Sequence, residues 1–274
     1  METVLAIDIR NTRTRIGLAQ EGALVAQWAV PTDPAATVDG AVAHVLAFYD
    51  ALERGLAPLE PGTPATVELA EAAPLADGAI ISSVFPTLTT VWIEAARRLT
   101  GARPLTVGPG LKTGLKMNFA DPAAVGADRV AEMVAAKTTY GSPALVIDLG
   151  TSTTFELLDE QGSFRGGIIA PGMNLGATAL ARGAAQLPSV EVRAPKTLLG
   201  RTTAEAMQAG IVMGEVARID GLIDMIWAEA GYVTPVVLVG QGAEAIAALM
   251  THQATVDQSL ALRGLLELYA ANKR

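Results

Sequence analysis

Cysteine is absent from the 274-residue chain, and histidine occurs only twice, as His44 and His252. The first absence excludes disulfide bonds and thiolate metal sites, and two separate histidines are too few for a histidine zinc site. Apolar runs of the roughly 18 residues that span a bilayer are also missing, so no membrane partner is expected. No basic and then apolar stretch typical of a secretory signal precedes the first predicted strand. We therefore expect a soluble, cytoplasmic protein.

Aromatic residues and charged residues are both sparse. Phe, Trp and Tyr make up 4% of the chain and charged residues 18%, whereas apolar residues reach 50%. The core must therefore consist mainly of Ala, Val, Leu and Ile, and the chain suffices for one large or two modest domains. The net charge of −8 repels a phosphate backbone, which argues against a nucleic-acid partner. A nucleotide is still compatible with this charge, because a metal, backbone N–H groups and a few arginines can neutralise it locally.

One sequence pattern occurs twice: a strand ends at a carboxylate, and a turn rich in hydroxyl groups follows. The two carboxylates, Asp8 and Asp148, are 140 residues apart. A repeat of this length predicts two similar domains whose hairpins face one cleft. At the same offset, four further pairs match: Leu5 with Leu145, Ile7 with Ile147, Thr14 with Thr154, and Gly22 with Gly162.

The hydrophobic pattern predicts a mixed α/β chain in which the order β-hairpin, helix, strand, helix occurs twice. We expect a soft boundary between domains at residues 1–120 and 121–274. One helix is predicted to begin at Thr32-Asp33-Pro34, and another to run from Asp121-Pro122 to Tyr140. Residues 56–75, rich in Pro, Ala and Glu, are predicted to form a loop.

Both hairpin turns could bind phosphate, since backbone N–H groups and hydroxyls suit phosphate oxygens while an Asp holds a metal-bound water. The alternative for Asp8, Asn11 and Thr12 is an ordinary capped turn. For Asp148-Leu-Gly-Thr-Ser-Thr-Thr154 the alternative is a Thr-rich β-turn. The second copy favours the functional interpretation, and Gly150 would allow a ligand to approach the backbone closely.

The string Gly126-Ala-Asp-Arg129 lies at a predicted helix start, where anions are favoured. Asp128 could accept the proton of a substrate hydroxyl, and Arg129 could bind a carboxylate through two hydrogen bonds. Considered alone, the string fits an acidic residue that stabilises the helix dipole, followed by an exposed arginine.

Taken in order, these strings resemble those of the type III pantothenate kinases. The resemblance covers nearly the whole chain, and each string is weak alone whereas the ordered set is specific. The strings are Asp8-x-x-Asn-Thr12, Ile81-Ser-Ser-Val-Phe-Pro86, Gly126-Ala-Asp-Arg129, Asp148-Leu-Gly-Thr151, Gly166-Gly-x-Ile-x-Pro-Gly172, Gly200-Arg-Thr-Thr203 and Leu260-x-Leu-Arg-Gly-Leu265.

The resemblance implies two similar actin-like (ribonuclease H-like) domains with mixed β-sheets flanked by helices and an ATP cleft between them. It implies an enzyme that uses ATP to phosphorylate the primary hydroxyl of pantothenate to 4'-phosphopantothenate, the first step of coenzyme A biosynthesis. Mg2+ and a monovalent cation, K+ or NH4+, are the implied cofactors, and a homodimer whose substrate site is completed at the subunit interface is the implied assembly.

Site residues follow position by position from the same resemblance. Asp128 would be the catalytic proton acceptor and Asp148 the ligand of the monovalent cation. ATP would be bound by Asp8, Ile9, Arg10, Asn11, Thr12, Arg13, Thr14, Arg15 and Thr151. Pantothenate would be bound by Phe119, Gly126, Ala127, Asp128, Arg129 and Thr203.

The sequence departs from the family pattern at two positions. Arg10 occupies a position where Gly is common, so that its charge could support phosphate binding or its bulk could occlude it. Phe119 occupies a position where many members have Tyr, which removes one hydroxyl contact and keeps the ring. Arg10 is the reason to keep an alternative: a non-catalytic binding or regulatory homologue with impaired ATP turnover. A kinase of the same superfamily with another hydroxyl substrate is a further alternative, which Gly126-Ala-Asp-Arg129 disfavours.

Overall fold

The computed structural model describes residues 2–56 and 75–273. Most of the predicted loop at 56–75 therefore lies outside the described residues. The chain forms two compact units, one of residues 1–139 with 259–274 and the other of residues 140–258. The domain boundary expected after residue 120 stays a prediction. The compact units group the residues differently, since residues 121–139 and 259–274 belong to the first unit.

The described residues contain the following elements. The strands are β1 (Thr3–Ile9), β2 (Arg13–Gln20), β3 (Ala23–Pro31), β4 (Gly78–Ser83), β5 (Leu105–Thr106), β6 (Lys116–Met117), β7 (Ala144–Leu149), β8 (Ser152–Leu158), β9 (Ser163–Pro171), β10 (Val236–Gly240) and β11 (Thr255–Val256). The helices are α1 (Val38–Glu53), α2 (Pro86–Thr100), α3 (Ala127–Tyr140), α4 (Met173–Gly183), α5 (Thr203–Ala230), α6 (Ala243–Ala247) and α7 (Leu260–Asn272), with a 3-10 turn at Pro122–Ala124.

The sheet of the first unit has the strand order β3-β2-β1-β4-β5. Strands β1, β2 and β3 are antiparallel neighbours, whereas β1, β4 and β5 run parallel. Successive side chains of a strand point to opposite faces of a sheet. Leu5 and Ile7 of β1 therefore pack with residues of α1 and α2, whereas Val4 and Ala6 pack with residues of α3 and α7. This alternation therefore determines which helices each side chain at the end of β1 faces.

The second unit repeats this arrangement, with β9-β8-β7-β10-β11 in the same relative order and directions. A bulge between Leu18 and Ala19 of β2 recurs between Leu157 and Leu158 of β8. The α/β class with two mixed sheets flanked by helices is therefore confirmed.

The fixed offset of 140 residues is wrong for the second strand of each hairpin. Ile9 pairs with Thr14, whereas Leu149, at the offset of 140, pairs with Thr153. The counterpart of Thr14 is thus Thr153 rather than Thr154, because the β7–β8 turn is one residue shorter than the β1–β2 turn.

Two predicted helix starts are also wrong. Helix α1 begins at Val38, because the side chain of Thr37 accepts a hydrogen bond from Gly40 N and caps it, whereas Thr32 donates its backbone N–H to Thr12 O. Asp121 caps only the 3-10 turn, and the extended backbone at Val125 separates that turn from α3. In the described part of the chain no helix combines the length and hydropathy that a bilayer crossing requires.

Candidate active site

The β1–β2 hairpin ends in a tight turn of three residues, Arg10, Asn11 and Thr12, of which Asn11 and Thr12 are exposed. Arg10 N donates to Arg13 O at 3.1 Å and closes the turn. The hydroxyl of Thr32 donates to Arg10 O at 2.7 Å, so the end of β3 fixes the turn from the other side. The predicted phosphate loop, residues 8–15, is therefore a hairpin tip that these two hydrogen bonds hold together, with polar groups exposed on it.

Asp8 continues the face of β1 that carries Val4 and Ala6, the face covered by α3 and α7. Its carboxylate is completely buried at the carboxyl end of the strand. Ser82 of β4, the parallel neighbour of Asp8, is also completely buried on the sheet. The alternation of β1 thus directs the Asp8 side chain towards α3 rather than towards α1 or α2.

Arg10 joins Asp8 to a residue that the sequence did not suggest, Glu132 of α3. Arg10 Nε donates to Asp8 Oδ2 at 2.6 Å, and Arg10 Nη2 donates to Glu132 Oε1. The side chains of both carboxylates have no solvent exposure, and that of Arg10 retains 13%. A buried carboxylate requires a charged or hydrogen-bonding partner, and one guanidinium provides it here for two.

The residues around Asp8 fit a hydrated Mg2+ rather than a metal cage. Among the described residues, Asp8 Oδ1 and Ser82 Oγ are buried without a hydrogen-bond partner, so they can accept hydrogen bonds from metal-bound water. The described residues contain no group of three or more Asp, Glu, His or Cys side chains that could hold a metal. Mg2+ usually keeps several waters and binds through one or two carboxylates and substrate phosphates, which agrees with this arrangement.

Gly126 to Arg129 lie at the start of α3, as predicted, and all four are partly buried. Arg129 N donates to Asp128 Oδ1 at 2.9 Å, which orients the carboxylate at the helix N-terminus. A Cβ at position 126 would lie 2.6 Å from the same oxygen, so Gly126 leaves the room that Asp128 needs. The Arg129 guanidinium lies over the Phe119 ring, 5.8 Å from its centre, which places these two predicted substrate residues together.

The β7–β8 hairpin places Asp148 opposite Thr154 on adjacent antiparallel strands. Both side chains are 7% exposed, and Thr154 Oγ1 is a buried oxygen without a hydrogen-bond partner in the described residues. Opposed side chains of this kind lie within contact distance. A carboxylate and a hydroxyl oxygen are ligands that suit a monovalent cation, so these two residues fit the predicted cation site.

The turn that carries Thr151 is packed closely against the start of α4. A Cβ at position 172 would lie 2.8 Å from Thr151 O and closer still to Gly150 O. Gly172 N donates to Thr151 O at 3.0 Å. Because Gly172 has no side chain, the turn can approach the start of α4 this closely. The close contact positions Thr151, the predicted ATP contact.

A second buried carboxylate, Glu215 of α5, was missed by the sequence analysis. Thr153 Oγ1 donates to Glu215 Oε1 at 2.5 Å, and Arg218 Nη2 donates to Glu215 Oε2. Burial raises the pKa of Glu215 above its usual 4.5, against the lowering effect of the Thr153 hydrogen bond and the Arg218 charge. Arg218 also donates to Pro171 O at 2.7 Å, so this group connects β8, β9 and α5. The pair Glu215 and Arg218, one helical turn apart, was the only sequence signal.

Thr203, the predicted substrate contact of the second unit, is the exposed first residue of α5. Its neighbour Thr202 caps the helix: the Thr202 side chain accepts from Glu205 N at 3.2 Å, and the Glu205 carboxylate accepts from Thr202 N. This capping box fixes where α5 begins. The predicted site residues thus form two groups, residues 8–15 with 119 and 126–129 in the first unit, and 148, 151 and 203 in the second.

Residues 4–225 match the family model of type III pantothenate kinase. A type III pantothenate kinase of Moorella thermoacetica is 38% identical to the chain and one of Halalkalibacterium halodurans is 34% identical. Each alignment covers 98% of this chain and 99% of the relative.

Solved structures show the fold at much lower identity. A putative Baf family transcriptional activator from Campylobacter jejuni superposes with a TM-score of 0.54 at 15% identity, over 98% of both chains. Component A of the (R)-2-hydroxyglutaryl-CoA dehydratase of Acidaminococcus fermentans gives a TM-score of 0.53 at 15% identity, over 100% of this chain and 99% of that one. At such identity the likeness concerns the actin-like fold alone.

Proposed function

The chain belongs to the type III pantothenate kinase family, whose activity is ATP-dependent phosphorylation of pantothenate in coenzyme A biosynthesis, and we propose that Asp128 is the proton acceptor of that reaction. The product is 4'-phosphopantothenate, formed at the primary hydroxyl of the substrate. The single observation that carries the proposal is the match over nearly the full length of curated relatives, with Gly126 to Arg129 at the start of α3.

Asp128 would act by orienting the substrate alcohol and accepting its proton as the phosphoryl group arrives. Phosphoryl transfer depends on positioning and charge neutralisation more than on covalent chemistry. The Asp128 carboxylate is held by the N–H of the next residue and is partly buried, so it is oriented and still accessible. The Arg129 guanidinium over the Phe119 ring would bind the pantothenate carboxylate, and Gly126 and Ala127 would form the adjacent wall.

The nucleotide would be bound by the two hairpin tips. In the first unit the backbone of residues 8–15 and the exposed side chains of Asn11 and Thr12 would bind the phosphates, with Asp8 Oδ1 and Ser82 Oγ accepting from the waters of Mg2+. In the second unit Thr151 would contact ATP, and Asp148 with Thr154 would hold K+ or NH4+. These cations supply charge neutralisation at the phosphate chain.

A homodimer with the substrate site completed at the interface is the assembly we propose, in the cytoplasm, where ATP is available. Thr203 would then contact pantothenate from the surface of α5. Support comes from exposed apolar side chains in the same unit, namely Leu175, Leu180, Leu198 and Leu199, which are 43–85% exposed. A partner subunit could cover these side chains.

The alternative of a non-catalytic homologue assumed that Arg10 could occlude the phosphate loop, and the observed contacts of Arg10 argue against this. The guanidinium is paired with Asp8 and Glu132 rather than placed over the exposed tip at Asn11 and Thr12. The phosphate loop therefore keeps its exposed polar groups.

The test is ADP release with ATP, Mg2+ and pantothenate, with K+, with NH4+ and without either cation. We expect release that requires pantothenate and a monovalent cation. Asp128→Asn should lower kcat by about 10²–10⁴-fold, the usual contribution of a general base, with an unchanged melting temperature. No pantothenate-dependent ADP release under any of the three conditions would contradict the kinase assignment, and a fully active Asp128→Asn variant would contradict the role of Asp128.

A further inference from the structure

Glu132 is a glutamate in an otherwise apolar stretch of α3, Val130 to Ala136, in which every residue is buried. Glutamate is almost never fully buried unless it is paired. Its contact to Arg10 connects two residues 122 positions apart in the sequence. The helix therefore has a charged group inside the first unit that packing alone does not require.

The guanidinium of Arg10 forms hydrogen bonds with two carboxylates. Nε bonds Asp8 Oδ2 and Nη2 bonds Glu132 Oε1. Counted as ionised groups, the three paired side chains sum to a charge of −1, the charge that Asp8 would have with an uncharged residue at position 10. Without the Glu132 charge, Arg10 would neutralise Asp8 completely.

We infer that Glu132 is a positioning residue for the kinase reaction: it holds the Arg10 guanidinium against Asp8 and away from the nucleotide phosphates, and it preserves the net negative charge at the end of β1. This inference rests on the proposed nucleotide site at the β1–β2 tip. It makes Arg10 and Glu132 a matched pair, so that the arginine at the common glycine position neither occludes the site nor binds the phosphates.

The physical reason is electrostatic. A cation accessible at the hairpin tip would attract the phosphates of ATP directly and compete with Mg2+ for the same negative charge. A net negative charge at Asp8 instead favours the metal-bound nucleotide over the metal-free one. Interactions between buried charges are weakly screened, so the effect should persist at physiological ionic strength.

The test compares the affinity of ATP with Mg2+ and with EDTA, measured by isothermal titration calorimetry without pantothenate. The measured quantity is the metal preference, defined as the dissociation constant in EDTA divided by that with Mg2+. Glu132→Gln removes one negative charge and keeps the side-chain shape. We expect it to lower the metal preference about 10–100-fold, the usual effect of losing a residue that supports a metal-binding carboxylate.

Three further variants separate this role from a structural one. Arg10→Gln should shift the metal preference in the opposite direction, because it leaves two negative charges at the site. The double variant Arg10→Gln with Glu132→Gln restores the net charge and should return to within about twofold of the wild type, as a coupled pair requires. Glu267→Gln, a partly buried glutamate of α7 bonded to Thr138, is the matched control and should leave the preference unchanged.

The inference is overturned if Glu132→Gln keeps the wild-type metal preference or if the double variant remains as low as Glu132→Gln. If Glu132→Gln does not fold, a lowered preference in Arg10→Gln overturns it as well. A wild type that binds neither form of ATP also overturns it. These binding measurements need no pantothenate. If the variants show the expected metal preferences but the wild type releases no pantothenate-dependent ADP, only the kinase assignment is contradicted. If the wild type turns over pantothenate but the variants do not show the expected metal preferences, only the role of Glu132 is contradicted.

Discussion

Helix α7 contacts α3 so closely that one added methyl group should destabilise the first unit. A Cβ at Gly264 would lie 2.5 Å from the carbonyl carbon of Ala131 and closer still to its oxygen. Because unbonded carbon atoms prefer about 3.5–4.0 Å, the two backbones would have to separate by roughly 1 Å. Overpacking of this kind costs about 1–3 kcal/mol, while the better helix propensity of Ala returns at most about 1 kcal/mol.

We therefore expect Gly264→Ala to lower the free energy of unfolding by up to about 2 kcal/mol, and the melting temperature by about 2–8 °C. Gly40→Ala in α1 is the matched control, since its Cβ would meet only Thr37 Oγ1 at 3.4 Å, an ordinary contact. It should raise the melting temperature by a few degrees, at about 2–4 °C per kcal/mol. Urea unfolding followed by circular dichroism measures both. A Gly264→Ala variant as stable as Gly40→Ala would refute the close backbone contact.

Three further predictions concern the second unit. Burial raises the pKa of Glu215 above 4.5, so its contribution to stability is present below about pH 4.5 and is lost as pH rises through the raised pKa. Between pH 4.5 and 7 the melting temperature of Glu215→Gln should therefore fall less than that of the wild type. Equal falls in the two melting temperatures would contradict this. Gly172→Ala should displace the turn at Thr151 and raise KM for ATP about tenfold or more, by the usual effect of misplacing a binding group, whereas Gly176→Ala, which meets no atom within 4 Å, should not; equal KM values would count against the role of Thr151. Thr202→Ala removes the cap of α5 and should cost about 1 kcal/mol and raise KM for pantothenate through Thr203; an unchanged melting temperature would show that the capping box contributes little.

Local signals predicted most elements of the fold. Apolar residues in a repeating pattern predicted the two β-hairpins, because this pattern is visible over a few residues of sequence. The strands β5, β6 and β11, of two residues each, are too short to show a period. The false helix start at Thr32 arose because Thr-Asp-Pro also suits the end of a strand, where Thr32 bonds the hairpin turn.

The candidate site was predictable only where its signal is local. Asp8 and Asp148 could be found from a strand followed by a polar turn. The role of Asp128 came from the family resemblance, because its string alone fits an ordinary helix start. Glu132 and Glu215 could not, since their partners come from other elements and burial is not visible in the sequence. The hairpin equivalence was displaced by one residue because a fixed offset cannot detect a shorter turn.

The order of residues along the chain has a consequence for synthesis on the ribosome. Residues 140–258 are consecutive, so the second unit can fold as soon as they have emerged. The first unit needs α7, which is translated after the second unit and packs with Val4, Ala6 and Ile80 together with Ala131. We therefore expect the second unit to fold first, while one apolar face of the sheet in the first unit is still uncovered. This order reverses the usual one, in which the N-terminal part of a chain folds first during synthesis.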